Sequence, residues 1–333
     1  MWRTGAAALL AMLAIGGIAG CGGRSEETLV VYSGRSETLV APIIKQFSDL
    51  TGIKTEVKYG DTAALASTLL EEGAKSPADV FFAQDPGGLG AARPLLATLP
   101  SSIRGRVPEW ASALDGTWVG ISGRARVVVY NNRVLTEADL PDSIAGFTDP
   151  AWKGKIGWAP TNGSFLSMVT AMRQVWGEDA TEQWVRGIQA NGPRSYSGNT
   201  AVVQAVGSGE VQVGFVNHYY LHRFLAEQGE SFPARNYYTR SADPGSVLLI
   251  AGVGILKSSK NKANAEKFVE FLIGTVAQQY FASQTFEHPL VGGVVRAPGI
   301  PELSNIKRPE IDVSQLSDLS GTQALLRRVG AIP

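Results

Sequence analysis

The sequence is poor in the side chains that several common chemistries require. Its 333 residues contain one Cys and three His, which excludes a disulfide framework, a Cys-based zinc site and an iron–sulfur cluster. Neither sign of charge is in excess, with 30 Lys+Arg against 30 Asp+Glu. Without a basic surplus to neutralise phosphates, nucleic acid is not expected as a partner. No GxSxG elbow, Walker loop or GxGxxG fingerprint occurs, and Gly252-Val253-Gly254 lacks the third glycine. With no nucleophilic Cys, triad chemistry has little to draw on. Asp61, Asp79 and Asp85 read as helix-start or turn residues rather than acid–base pairs. Beyond the N-terminus no run approaches the ~20 apolar residues of a membrane span. What remains is a globular composition, 44% hydrophobic and 18% charged. At roughly 150 residues per domain, the length suggests about two domains, large enough to hold a core without disulfides.

Residues 1–20 form an address. Arg3 is a short positive region, Ala6 to Ala14 are apolar, and Gly16 to Gly20 are small or aliphatic, the three-part pattern of an export signal. Ile18-Ala19-Gly20-Cys21 resembles the bacterial lipobox. It implies cleavage before Cys21 and lipidation there, so the mature chain is expected to be exported and anchored to the cell envelope. Residues 21–27 then serve as a polar, flexible tether.

From Thr28 the pattern alternates. TLVVY (Thr28–Tyr32) reads as a buried strand. Glu37–Leu50 reads as a helix, with Leu39, Ile43, Phe47 and Leu50 on one face and Gly52 as its stop. Ile53–Tyr59 reads as a strand, Asp61–Glu72 as a helix and Ala78–Phe82 as a strand. This β-α-β-α-β order argues for a mostly parallel sheet covered by helices, an α/β fold. Further strands are expected at Arg126–Tyr130, Ile156–Trp158, Val211–Val216 and Ser246–Leu256. Helices are expected at Ser164–Trp176, Thr181–Ala190, Asn199–Gly207, Asn264–Ile273 and Thr275–Ala282, with a partly helical tail from Val313 to Val329. Two such units joined by extended strands make a two-lobed body, with a first crossing near Gly123-Arg124 and a return near Val247–Leu249. Ligands of open α/β sheets bind outside the carboxyl ends of strands. That singles out Ser33–Glu37, Gln84–Gly88, Pro160–Ser164, Ser197–Thr200 and Asn217–Tyr220.

Val211–His222 runs from a strand into two adjacent tyrosines, Tyr219 and Tyr220. Neighbouring residues diverge on a regular strand or helix. Two phenols therefore meet only where the backbone is irregular, as at a strand end. A phenol, with its pKa of about 10, loses its proton to a strong Lewis acid, and ferric ion is the evident candidate. Simple packing is the alternative, and Tyr237-Tyr238 is an internal control that reads as ordinary strand. His218 and His222, at i,i+4 spacing, read as surface or capping residues. Thr161-Asn162-Gly163-Ser164 precedes a helix, and its small residues leave backbone N–H groups free to hold an anion or serve as a plain cap. Asn199-Thr200 offers the same choice.

Six segments together carry a resemblance: Val31–Glu37 (VYSGRSE), Ser76–Asp85 (SPADVFFAQD), Ser122–Asn131 (SGRARVVVYN), Trp152–Phe165 (WKGKIGWAPTNGSF), Asn199–Val206 (NTAVVQAV) and Asn217–His222 (NHYYLH). In this order and spacing the chain resembles bacterial ferric-ion-binding proteins of ABC transporters, of the type II periplasmic-binding-protein class. The resemblance runs from about Leu29 to the C-terminus. It implies two lobes, residues 28–123 plus 248–300 and residues 124–247 plus 301–333, with a ligand cleft between them. Ferric iron is the implied cargo, held by Tyr219 and Tyr220. A synergistic anion, phosphate or carbonate, is implied on Asn162, Gly163 and Ser164 with Asn199 and Asn217. Where one branch of the family adds His and Glu ligands this chain has Ser36 and Gln84, and where another adds a third Tyr it has Phe165 and Leu166. A Glu-Tyr-Pro-Leu motif appears as Glu287-His288-Pro289-Leu290. Only two protein ligands transfer, so anion, water or a chelator must complete the shell. Ser36, Glu37, Gln84 and Asp85 are the candidate first-lobe contributors.

The expectation is a monomeric, lipid-anchored receptor that is no enzyme and passes ferric iron to a permease and its ATPase. A receptor for a metal-free oxyanion or small organic solute is the alternative. A secreted hydrolase is disfavoured by the missing nucleophile motif.

Overall fold

The computed structural model describes residues 28–333. The expected export signal and the tether with Cys21 lie outside the described residues. The chain runs β1 (Leu29–Ser33), α1 (Glu37–Thr51), β2 (Thr55–Tyr59), α2 (Thr62–Glu72), β3 (Val80–Ala83), α3 (Pro86–Ala92), α4 (Ser101–Arg104) and β4 (Val119–Tyr130). It continues through β5 (Ile156–Trp158), α5 (Gly163–Trp176), α6 (Glu178–Ala190), β6 (Arg194–Ser195), α7 (Asn199–Ser208), β7 (Val213–Asn217), α8 (Tyr219–Gln228), β8 (Arg235–Tyr237) and β9 (Leu248–Ile255). It closes with α9 (Lys262–Leu272), α10 (Thr275–Gln284), β10 (His288–Pro289) and α11 (Leu319–Arg328).

Strands lie side by side in the order β2-β1-β3-β9-β4-β7-β5-β6. The β1–β2, β1–β3, β5–β7 and β5–β6 pairs are parallel, as the alternating pattern requires. β3 is buried at every position, the signature of a strand covered on both faces. In α1 the buried stripe is Val40, Ile43, Ile44 and Phe47, while Leu50 is 64% exposed. The expected face through Leu39 and Leu50 is rotated, because the adjacent pair Ile43-Ile44 fills the seam against β1. Gly52 stops the helix in the left-handed region (φ 72°), its N–H on the Ser48 carbonyl.

The two lobes meet along β4. The sequence reading placed a strand at Arg126–Tyr130; the observed strand is twelve residues long and buried throughout. Its first half pairs antiparallel with β9 up to Ala125–Leu248. Its second half pairs with β7 from Arg126–Asn217 onward. One strand thus serves both lobes and changes partner between Ala125 and Arg126. One pair of hydrophobic clusters includes Phe47, Phe82 and Phe268 and, separately, Leu65, Phe81 and Trp118. The other pair includes Phe147, Trp184 and Phe215 and, separately, Val202 and Val206.

The tail binds to both sides. Ile306 and Val313 join the cluster around Trp118, and the Arg308 guanidinium carbon lies 3.9 Å from the Trp110 ring centroid. Leu325 and Leu326 instead enter the cluster around Phe147. There Thr170 and Thr322 share a buried hydroxyl–hydroxyl bond of 2.7 Å. Leu325→Ala, which empties a fully buried position, is expected to lower stability by about 2–5 kcal/mol in urea unfolding.

Candidate functional site

Helix starts and strand ends converge where the lobes face each other. Asp61 caps α2 by accepting from the N–H groups of Ala63 (2.9 Å) and Ala64 (3.2 Å). Asp85 caps α3 through the Gly88 N–H at 3.1 Å. Asn162 caps α5, its Oδ1 accepting from Ser164 N at 3.1 Å and Ser164 Oγ at 2.6 Å. These three helix starts surround a cavity of about 140 Å³. Thr62, Gln84 and Asp85 line it from one lobe, Asn162–Ser164 and Tyr220 from the other, and Arg124 of β4 lies between. Helix N-termini carry partial positive charge, so the walls favour a negative ligand.

Tyr219 and Tyr220 are the first two residues of α8. Their rings stack, with centroids 4.2 Å apart and planes inclined by 28°. The expected backbone irregularity is not found: His218, just ahead of the pair, already has a helical φ of −56° and ψ of −39°. The rings therefore meet through side-chain direction rather than a distorted chain. Tyr219 is 2% exposed. Burial drives its phenol far above the usual range, the neighbouring Tyr220 adds to this, and Arg124 opposes it. An ionised Tyr219 thus requires a strong cation. The internal control behaves differently: Tyr237 lies in β8 with its hydroxyl on the Pro141 carbonyl at 2.9 Å, and Tyr238 is carried past the strand end.

Three arginines that the sequence reading did not assign to the site stand behind the pair. Arg35, Arg124 and Arg126 are each no more than 1% exposed. Arg35 is paired, its Nη2 2.5 Å from Glu287 Oε1, and Glu287 also accepts from the Ser122 hydroxyl. Burial works against the Arg35 charge, but Glu287 outweighs it and holds the guanidinium above its usual range. Arg124 donates to the Gln84 carbonyl and leaves Nε without a partner. Arg126 Nη1 donates to Ser164 Oγ (3.2 Å), Asn199 Oδ1 (3.2 Å) and Asn217 Oδ1 (3.1 Å). Its Nε and Nη2 are buried without partners, and burial lowers its pKa to about 9. Among the described residues neither Arg124 nor Arg126 forms an ion pair. Asp85 is nearby but raised by burial, with Arg124 pulling the other way. A signal for these cations is present in SGRARVVVY: two arginines at i,i+2 share one face of an otherwise apolar strand.

All three histidines cluster beside the tyrosines, and none is a surface residue: His218 and His288 are fully buried and His222 is 8% exposed. His218 Nδ1 accepts from the Ala125 N–H at 3.1 Å, which places the ring proton on Nε2, bonded to the Phe286 carbonyl at 2.8 Å. Phe286, at φ 58°, is the one non-glycine among the described residues in the left-handed region. His218 stacks on His288 with centroids 4.5 Å apart. Burial lowers His222 to about 4 and His288 to about 3. Among the described residues no three His, Cys, Asp or Glu side chains gather to hold a metal, which leaves the phenols as the metal-donor candidates.

Of the residues singled out in the sequence, Gln84, Asp85, Asn162, Gly163, Ser164 and Tyr220 line one cavity. Tyr219 lies against Tyr220, and Asn199 and Asn217 are bonded behind the turn through Arg126. Ser36 and Glu37 are exposed at the start of α1 and do not line it.

A two-lobed α/β body with convergent helix starts and strand ends around one cleft defines a class of solute-binding proteins. The chain belongs to the bacterial extracellular solute-binding protein family, which matches residues 76–313. It is 35% identical over 309 residues to the major ferric iron-binding protein of Neisseria meningitidis, covering 91% of this chain and 92% of that protein. It is 32% identical to the Fe(3+)-binding periplasmic protein of Serratia marcescens, covering 94% of each. Among solved structures, the iron-bound HitA of Pseudomonas aeruginosa superposes with a TM-score of 0.85 at 34% identity, covering 91% of this chain and 99% of that chain. The relatives are binding proteins, and the chain is not an enzyme.

Two expectations follow from the buried charges. Unfolded histidines bind a proton below about pH 6.5, whereas His222 and His288 stay neutral in the fold until about 4 and 3. The unfolded state then holds more protons, so stability is complete above about pH 6.5 and falls as pH drops below it, by about 2 kcal/mol per histidine at pH 5. Urea midpoints measured from pH 7 to 5 should fall, and fall less in His288→Asn. Arg35→Met strands the buried Glu287 carboxylate and should cost about 3–5 kcal/mol, of which Arg35→Met/Glu287→Met recovers most.

Proposed function

We propose that the chain captures ferric ion between its lobes with Tyr219 and Tyr220, together with an oxyanion, and delivers it to a membrane permease and ATPase. The single observation that carries this reading is the stacked tyrosine pair at the cleft, backed by buried arginines. The identity to ferric iron-binding relatives across nine-tenths of the chain supports it. The chemistry is consistent. A phenol kept protonated by burial yields its proton only to a strongly polarising ion, so weak divalent cations compete poorly. Once both phenols are ionised, Arg124 and Arg126 gain the negative charge they otherwise lack.

The anion reading rests on the turn at Asn162–Ser164 and the unpaired guanidiniums. Phosphate and carbonate both suit this donor set. The same unpaired cations favour a second reading, binding of an oxyanion without metal. We assign residues 28–123 plus 248–300 to one lobe and 124–247 plus 301–333 to the other, with the tail bridging them. Export behind residues 1–20, a lipid anchor at Cys21 and a monomeric state complete the reading.

Loading with ferric citrate should give a visible phenolate-to-iron charge-transfer band. Tyr219→Phe and Tyr220→Phe should each abolish or shift that band and weaken iron binding by at least about 100-fold, the upper end of what outer-shell partners contribute. A colourless, folded wild type after loading would refute the iron reading. Full thermal stabilisation by phosphate with a chelator present would favour the metal-free one.

A further inference from the structure

The tyrosine pair opens a helix whose N-cap side chain does not cap it. His218 stands at the N-cap position of α8, yet its side chain makes no capping bond. Its ring is engaged instead by two backbone groups from other parts of the chain. Nδ1 accepts from the Ala125 N–H of β4 (3.1 Å), and Nε2 donates to the Phe286 carbonyl (2.8 Å). The His218 backbone is held as well, its N–H on the Ala125 carbonyl (3.0 Å) and its carbonyl on Asn236 Nδ2 (2.8 Å). All four polar atoms of one fully buried residue are thus committed, directly ahead of Tyr219. The ring is also set between two others, stacked on His288 and edge-on to Tyr219 with centroids 6.1 Å apart. Phe286 presents its carbonyl from the left-handed region, at φ 58°. That conformation costs a bulky residue about 1–3 kcal/mol and persists only where the surroundings impose it.

We propose that His218 is the positioning residue of the tyrosine pair: by clamping the start of α8 to β4 on one side and to Phe286 on the other, it fixes the direction from which both phenols reach the metal. The inference rests on the reading that these phenols hold ferric ion. It accounts for the missing cap. Helical side chains lean toward the N-terminus, so the partial positive charge of that uncapped end is left to the two phenols on its first two positions. The role needs one acceptor and one donor at the places of the two ring nitrogens, not an imidazole as such. A primary amide long enough to reach both backbone groups can therefore replace it.

The test reads the pair without and with iron, in the full chain. In the iron-free protein, near-ultraviolet circular dichroism of two stacked phenols reports their mutual orientation, and their contribution is isolated by difference from Tyr220→Phe. Far-ultraviolet dichroism checks folding. His218→Leu removes donor and acceptor together. It should change the pair signal, shift the phenolate-to-iron band and weaken ferric binding by about 10–100-fold, as for other residues that orient metal ligands. His218→Gln, which offers Oε1 to Ala125 and Nε2 to Phe286, should restore most of all three. If His218→Leu does not fold, His218→Asn takes its place, being a favoured cap but too short to span both groups. A folded His218→Leu, or His218→Asn, in which either the pair signal or ferric binding stays at the wild-type level overturns the positioning role. So does a His218→Gln no better than the variant it should rescue. If the wild type gives no iron band, the iron reading falls and takes this role with it, whereas the other failures leave that reading standing.

Discussion

Two guanidinium groups kept out of water, without carboxylate partners among the described residues, set the terms for the rest of the molecule. Withdrawing one ion from water costs several kcal/mol even after relaxation, and Arg124 and Arg126 are both buried on one strand. The fold compensates partially. Backbone and amide oxygens surround the two groups, and neutral phenols stack nearby. The protein therefore has a standing deficit of negative charge at its centre. Arg35, equally buried, has Glu287 and is satisfied. This contrast separates a cation that holds the structure together from cations kept ready for something else.

The architecture explains why the deficit lies there. β4 passes through both lobes, and its middle is where pairing passes from β9 to β7. Apolar residues would fill that position most cheaply, and Val127–Val129 do so a few residues later. Arg124 and Arg126 instead interrupt the apolar run where the strand changes partner. Helix starts from both lobes face the same place, and their partial charges have the same sign as the arginines. Among the described residues, everything that lines the cavity, apart from Asp61 and Asp85 of the helix caps, is either neutral or positive.

Much of this was readable in the residues. The β-α alternation, the crossing strands and the helix-start turns follow from period and punctuation, and the structure moves most element bounds by a few positions. The tyrosine pair was legible as a pair, but its geometry was not: convergence was expected from a distorted backbone and comes from side-chain direction. The histidines were misplaced, because i,i+4 spacing tells which face two residues share and not whether that face is covered. His288, far away in sequence, covers it. The arginines lie inside a strand rather than at its end, so the strand-end rule does not reach them. Ser36 and Glu37 follow a strand end and were drawn in by that position as well as by resemblance, and at the start of α1 they are exposed.

The junction of the lobes also determines how they can travel. β4 and β9 cross as a hydrogen-bonded antiparallel ribbon, held in register from Ser122–Ala251 to Ala125–Leu248. Sliding one lobe past the other would break that ladder, whereas flexing the ribbon preserves it. The permitted excursion is thus close to that of a door on a single strip of leather: it swings about one line and neither slides nor twists freely. Each swing would bring the same two walls face to face.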